Sequence, residues 1–199
     1  MKTITWMDPF YPKLLNDKTF IPLDIKTVLD IGCGKGTAGT LLRNFRSPEY
    51  VVGLDVFQPY LSHCEQFGNY DELCMHDLSQ HLSLPFEDKT FDLVLCLEVV
   101  EHLDKTNALC LLDQLKRIGE HILVTTPSRF FNQPKYDKNP FQNHRCVVTK
   151  QDFQARGFKV RGTGPIRCLG RFIPIESWRL GSLCPTIMQT LVAVRETSR

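Results

Sequence analysis

The spacing of apolar positions changes repeatedly along the chain, and each change marks an element. Val28–Ile31 is a short apolar run that ends in glycines and predicts a buried strand. Thr37–Asn44 carries a helical period and ends near Ser47-Pro48, and Tyr50–Asp55 reads as a second strand. Pro59–Phe67 follows as a helix, with Pro59 suited to a first turn. Asp71–Met75 is a weak third strand and Phe91–Leu97 a strong fourth. Asp104 is placed to cap a helix through Ile118, with Ala108, Leu111, Leu112 and Leu115 on one face and Gly119 at the end. His121–Thr126 predicts a fifth strand halted by Pro127, and Lys150–Ala155 a short helix closed by Gly157. Phe158–Arg161 and Thr190–Arg195 predict the last two strands. Alternation of this kind implies an α/β domain: a mostly parallel, seven-stranded sheet covered on both faces through right-handed crossovers.

Three stretches lack a period: an N-terminal arm over residues 1–26, and the segments 127–148 and 164–189. The last two are long for connections in a compact domain, which makes them candidate substrate loops. No internal repeat or linker divides the chain, so residues 1–199 read as one domain.

Composition narrows the picture modestly. With 42% hydrophobic and 23% charged residues, a disordered chain is excluded. The longest uncharged apolar runs are strand-sized, far below the roughly 20 residues of a membrane span, and the first residues hold no apolar leader core. The expectation is a cytoplasmic protein with no membrane partner. Eight cysteines, at 33, 64, 74, 96, 110, 146, 168 and 184, include no C-x2-C pair, which argues against a zinc knuckle or a thioredoxin-type redox site. Cys96 and Cys110 sit in apolar stretches and read as small buried hydrophobes. The net charge of +2 conceals an asymmetry: Arg129–Arg179 holds 11 Lys/Arg against 3 Asp/Glu, so the rest of the chain is acidic. A basic segment attracts anions, although a solvated face is the more ordinary explanation.

Four motifs carry candidate chemistry. Gly32-Cys33-Gly34-Lys35-Gly36 follows the first strand and opens a helix, the arrangement in which backbone approaches a ligand closely and helix amides face it. The spacing is G-x-G-x-G, whereas a dinucleotide fingerprint is G-x-G-x-x-G. Asp55 ends the second strand, 19 residues beyond Gly36, where a carboxylate accepts ribose hydroxyls. Asp77 and Leu78 follow the third strand, placed to accept from an adenine amino group and to pack on a base. The run Phe91–Leu103 carries Leu97, Glu98, Glu101 and His102 off the fourth strand into the crevice where open α/β sheets bind ligands.

Together these motifs resemble the class I S-adenosylmethionine-dependent methyltransferases, and most closely the small type 11 family, through "LDIGCGKG", "FDLVLCLEVVEHL" and "VTTPSRF". The likeness covers about Val28 to Arg161, and Thr190–Arg195 fits that family's last, antiparallel strand. It implies a Rossmann-like, doubly wound sheet and S-adenosyl-L-methionine as cofactor. It assigns Asp30, Gly32, Gly34 and Gly36 to the methionyl part, Asp55 to the ribose, Asp77 with Leu78 to the adenine, and Leu97 with Glu98 to the methionyl end. The chain lacks an inserted cap domain, so acceptor recognition falls to the three irregular segments or to a partner.

A sulfonium donor carries its own leaving group, so the protein mainly aligns an in-line attack, excludes water and removes a proton where the acceptor is O–H or N–H. His102 and His144 are the candidate bases, each weighed against a structural role in fixing a loop. The expected activity is methyl transfer to O, N or C of a small metabolite, anionic or aromatic, without a metal. Glu98, Glu101, His102 and His144 also resemble the divalent-metal site of small-RNA 3′-terminal 2′-O-methyltransferases, whose substrate would suit the basic segment. That alternative is disfavoured because Glu98, Glu101 and His102 recur in metal-free relatives and no RNA-binding module is expected. A catalytically silent S-adenosylmethionine-binding protein is the rival from another class, and a nicotinamide dehydrogenase is disfavoured by the glycine spacing and Asp77. Trp6, Phe10 and Tyr11 in the arm, and Phe130, Phe131, Tyr136 and Phe141 among Arg129, Lys135, Lys138 and Arg145, read either as pocket linings or as docking anchors.

Overall fold

A computed structural model describes residues 10–133, 137–168, 171–173 and 188–196. The strands are β1 (Thr27–Ile31), β2 (Tyr50–Asp55), β3 (Glu72–Met75), β4 (Phe91–Leu97), β5 (Gly119–Pro127), β6 (Lys159–Cys168), β7 (Arg171–Ile173) and β8 (Met188–Glu196). The helices are α1 (Phe10–Asn16), α2 (Thr37–Arg46), α3 (Gln58–Phe67), α4 (Lys105–Ile118) and α5 (Lys150–Gln154). One sheet runs in the order β3-β2-β1-β4-β5-β8-β6-β7. The pairs among β1 to β5 are parallel, and β8 is antiparallel to both neighbours, β5 and β6.

Strand alternation sends neighbouring side chains to opposite faces, and both faces are buried. Leu29 and Ile31 of β1, Val94 and Cys96 of β4, and Ile122 and Val124 of β5 pack with Leu111, Leu112 and Leu115 of α4 and Phe153 of α5. Val28, Leu93, Leu95 and Leu123 face the other way, onto Leu42 of α2 and Leu14 and Leu15 of α1. This explains why the strands read as continuous apolar runs. α4 begins after Asp104 and ends at Gly119 as the sequence predicts, although the Asp104 side chain makes no capping bond.

Two predicted features differ. The N-terminal arm is not wholly irregular: α1 forms within it, and Leu14, Leu15 and Ile21 are fully buried against the sheet face covered by α2. Tyr11 packs on that cluster, so it serves as a docking anchor; Trp6 and the Phe10 side chain lie outside the described residues. The 164–189 segment is partly strand, because β6 continues to Cys168 and pairs antiparallel with β7, which adds an eighth strand to the seven expected. Residues 169–170 and 174–187 lie outside the described ones, as does Tyr136. Among the described residues, no helix is long and apolar enough to cross a membrane.

The connection into β4 hangs on one side chain. Arg117, in the last turn of α4, donates to the Leu84 carbonyl at 2.9 Å and the Phe86 carbonyl at 2.6 Å, pairs with Asp88 at 3.0 Å and is braced by Gln114. Replacing it with Met keeps the aliphatic stem and orphans two part-buried carbonyls. Arg117→Met is expected to lower unfolding stability by about 1–3 kcal/mol. Urea titration checks this through a lower midpoint at unchanged slope.

Candidate active site

β1 lies between β2 and β4, so the carboxyl ends of these three strands open side by side. The glycine turn after β1 is stitched to the end of β2. Gly32 and Cys33 N–H donate to the Leu54 carbonyl at 2.7 and 3.0 Å, and Gly34 N–H donates to Asp55 Oδ2 at 2.9 Å. Asp55 Oδ1 accepts from Phe57 N–H at 2.8 Å. Burial raises the Asp55 pKa, and these amide bonds oppose that shift. A carboxylate has about four acceptor positions, so Asp55 keeps capacity for further donors.

Gly34 shows why a glycine stands here. Its φ is +54°, and a Cβ at this position would project into open space, with only the Gly32 carbonyl as near as 4.0 Å. That open space belongs to a cavity of about 200 Å³ bounded by Gly32, Gly34, Asp55, Asp77, Glu98 and His102. Leu78 lines it too. Asp77 accepts from Ser79 N–H and Oγ and from Gln80 Nε2; burial works against its charge, but these bonds win and hold its pKa below the ordinary value. Three predicted cofactor residues stand behind the cavity wall instead. The Asp30 carboxyl turns to the Tyr70 hydroxyl, Gly36 begins α2 with its carbonyl held by Asn69, and Leu97 joins the apolar cluster on the α1–α2 side of the sheet.

At the end of β4 the backbone of Glu98 adopts a left-handed φ of 56° while its N–H bonds the Thr125 carbonyl. Such a conformation is costly for a residue with a side chain and marks a place where chain direction matters. Glu101 is 2% exposed and accepts from Thr126 Oγ1 at 3.1 Å. One oxygen of each acid, Oε1, is buried without a hydrogen-bond partner among the described residues. Burial raises the Glu98 pKa to about 7; burial and then repulsion from Glu98 push Glu101 well above its usual range. His102 lies against both, its Nδ1 3.2 Å from the Asn143 carbonyl, and burial lowers its pKa to about 4. His144 stacks edge-on to His102 at 5.0 Å and to Phe131 at 4.4 Å, and burial lowers its pKa as well. Ligand atoms of Glu101, His102 and His144 all lie within 4.8 Å of one another.

The 127–148 segment crosses the crevice. At one end Asp137 pairs with Lys35 of the glycine turn and meets the Tyr60 hydroxyl. At the other, Arg145 and Cys146 N–H donate to the Glu101 carbonyl at 2.7 and 3.2 Å, and Lys105 holds the Val147 carbonyl at 2.6 Å. Between these anchors Asn139, Phe141, Asn143 and Arg145 line the cavity, as does Tyr60. Sequence reading marked this segment and its charge, but no local signal distinguished Asn139 or Tyr60. Phe141 is 41% exposed and reads as a pocket lining, whereas Phe131 anchors His144.

Residues 29–121 match the family model "Methyltransferase domain" of type 11. The chain is 30% identical over 125 residues to a mitochondrial ubiquinone biosynthesis O-methyltransferase of Candida albicans, covering 60% of this chain and 36% of that protein. It spans less than two thirds of the length of the curated relatives it matches, 59% and 65% of two others. In fold it is similar to an S-adenosylmethionine-dependent methyltransferase from Archaeoglobus fulgidus (TM-score 0.61, 20% identity, 97% of this chain and all of that one). It is also similar to the small RNA methyltransferase HEN1 (TM-score 0.64, 18% identity, all of this chain and 27% of that one). Glycine turn and sheet order agree with that match: residues 29–121, just under half of the chain, match the type 11 methyltransferase domain, and the fold is similar to that of S-adenosylmethionine-dependent methyltransferases.

Proposed function

We propose that the chain transfers a methyl group from S-adenosyl-L-methionine to an oxygen, nitrogen or carbon of a small acceptor. The observation that carries this reading is one cavity running from Gly34, Asp55 and Asp77 to His102 and the crossing segment. Gly34 leaves a cradle that any Cβ would enter, and Asp55, bonded to the turn, presents a carboxylate to the same cavity, so the residues fit the cofactor. Bound there, the sulfonium supplies an activated methyl group. The chain's own part is to bind, align and exclude water. His102 acts on the acceptor: with Nδ1 held by the Asn143 carbonyl and the ring neutral, Nε2 is left to accept a proton. Phe141 and Arg145 on the opposite wall favour an acceptor with a flat or anionic part. The site, in this reading, lies within residues 1–199 taken as one domain, and the acceptor meets it from solution.

A second reading has its own observation. Glu101, His102 and His144 converge tightly enough to share a divalent cation, with Glu98 beside them, and such a cation would bind the vicinal hydroxyls of an RNA 3′ end. HEN1, similar in fold, is a small RNA methyltransferase. The small-molecule reading is preferred because relatives matched in sequence include an O-methyltransferase of ubiquinone biosynthesis and a norajmaline N-methyltransferase.

Cofactor binding tests the first part. Gly34→Val is expected to abolish binding of S-adenosylhomocysteine in a protein that still folds, less stable by about 1–2 kcal/mol because φ here is positive. Asp55→Ala is expected to weaken it about 30- to 1,000-fold, the loss of two charge-assisted hydrogen bonds; calorimetry reads both, and normal affinity in either folded variant overturns the assignment.

Radiolabelled methyl incorporation into metabolite extract and into total small RNA, with and without chelator and added Mn²⁺, tests the acceptor. Labelling of a small molecule that survives chelation is expected. His144→Ala is expected to slow turnover without changing cofactor affinity. Labelling confined to RNA and erased by chelator selects the metal reading, and no labelling at all selects a silent binder.

The pH profile checks His102. Its pKa is depressed, so the neutral base persists from alkaline pH down to about 4, and protonation removes it only below that. The single-turnover rate should therefore show no limb at the ordinary imidazole value near 6.5 that His102→Gln abolishes. Such a limb would contradict the depressed pKa, and a single-turnover rate unchanged in His102→Gln would remove His102 from the role of base.

A further inference from the structure

Behind the glycine turn lies a built support that the cofactor motifs do not include. The turn between α3 and β3, Asn69-Tyr70-Asp71, reaches into the sheet at three points. Asn69 Nδ2 donates to the Gly36 carbonyl at 3.2 Å. Asp71 Oδ2 accepts from Val51 N–H at 2.7 Å and pairs with Arg43 of α2 at 2.6 Å, and Arg43 Nε also holds the Asn69 carbonyl at 3.0 Å. Tyr70 donates its hydroxyl to Asp30 Oδ2 at 2.6 Å.

The ring of Tyr70 has room only because two glycines face it. A Cβ on Gly39 of α2 would stand 2.6 Å from Tyr70 Cζ and 2.8 Å from its oxygen, and a Cβ on Gly53 of β2 would stand 3.0 Å from Cδ1. Neither glycine has a positive φ, so the constraint at both is space. A phenol threaded between a helix and a strand to meet one buried carboxyl is a specific arrangement. Its hydroxyl reaches the last polar group of β1 before the glycine turn.

We propose that Tyr70 is a positioning residue for cofactor binding: seated in the slot left by Gly39 and Gly53, its hydroxyl fixes the Asp30 carboxyl beneath the glycine turn, where its anionic form favours a cationic ligand in the crevice in front of it. The inference rests on the S-adenosylmethionine reading for its ligand, and on geometry alone for the Tyr70–Asp30 pair.

The surroundings of Asp30 make this bond matter. Asp30 is 1% exposed. The groups that face it are Asp55 on β2, Cys33 in the glycine turn, Cys64 on α3, Cys96 on β4 and Tyr70 itself. None is a cation, and Lys35 of the same turn is paired with Asp137. Burial and the Asp55 charge both push Asp30 toward its neutral form, and the Tyr70 bond alone among these pulls it back; the balance leaves its pKa at about 7. The sign follows: the carboxylate forms as pH rises through about 7, and affinity for a cation rises with it. Without the hydroxyl the rise moves to higher pH.

The test uses Tyr70→Phe, which keeps the ring in its slot and removes only the donor. Aspartate-selective ¹³C labelling follows Asp30 by carboxyl resonance in the cofactor-free protein, with Asp30→Asn identifying the signal and Glu98 left silent. The Asp30 midpoint is expected near 7 in the parent and about one to two units higher in Tyr70→Phe, the worth of a hydrogen bond to a charged group. Calorimetry with S-adenosylmethionine is expected to show about 5- to 50-fold weaker binding at pH 7, as the competent fraction falls, with the gap closing toward pH 9. Asp30→Asn, which still accepts the hydroxyl but cannot ionise, is expected to lose the Asp30 contribution to the pH dependence. An Asp30 midpoint that does not move in Tyr70→Phe overturns the proposal, as does a loss of affinity that is the same at every pH, which marks a merely structural ring. If the parent binds no S-adenosylmethionine, the cofactor reading fails while the titration still decides the Tyr70–Asp30 pairing.

Discussion

Three consecutive amides of the glycine turn, Gly32, Cys33 and Gly34, donate to the last two residues of β2. The rest of the site depends on this seam. It needs β1 and β2 parallel and adjacent, so that a turn leaving one strand meets the end of the other. It also needs Asp55 to spend one oxygen on Gly34, which holds the turn open and leaves the cavity floor lined by backbone. Parallel order then brings β4 to the other flank of β1, and with it Glu98 and His102.

The second constraint is electrostatic. Asp30, Asp55, Glu98 and Glu101 gather around these strand ends, and burial raises the pKa of every one. Among the described residues none of them pairs with a lysine or arginine; amides and hydroxyls hold them instead, and one oxygen each of Glu98 and Glu101 is left without a partner. Four acids held this way cost stability, and a cationic ligand in the crevice offsets that cost. Concentration of perturbed carboxyls at one end of a sheet is a mark of a ligand site rather than of a packed core.

The crossing segment closes the third side. It is anchored at one end by Lys35 of the glycine turn and by Tyr60, and at the other by the Glu101 carbonyl and Lys105. A single stretch of chain therefore bridges the glycine turn and the end of β4, and Phe141 and Arg145 supply a wall that differs in character from the acid-lined floor.

The sequence by itself determined the α/β class, the strand and helix positions from β1 to α5, the glycine turn, Asp55, Asp77 and the Glu98–His102 run. These are local signals, written in periods of two and 3.6 and in spacings of a few residues, and they survive without knowledge of neighbours. Tertiary structure alone decided that Asp30, Gly36 and Leu97 stand behind the cavity, that α1 packs on the far face, and that β7 pairs with β6. It alone joined Tyr70 to Asp30 across 40 residues and Tyr60 to Asp137 across 77. A hydrogen bond between side chains so far apart leaves no periodic trace; it exists only because sheet order and two glycines place the partners within reach.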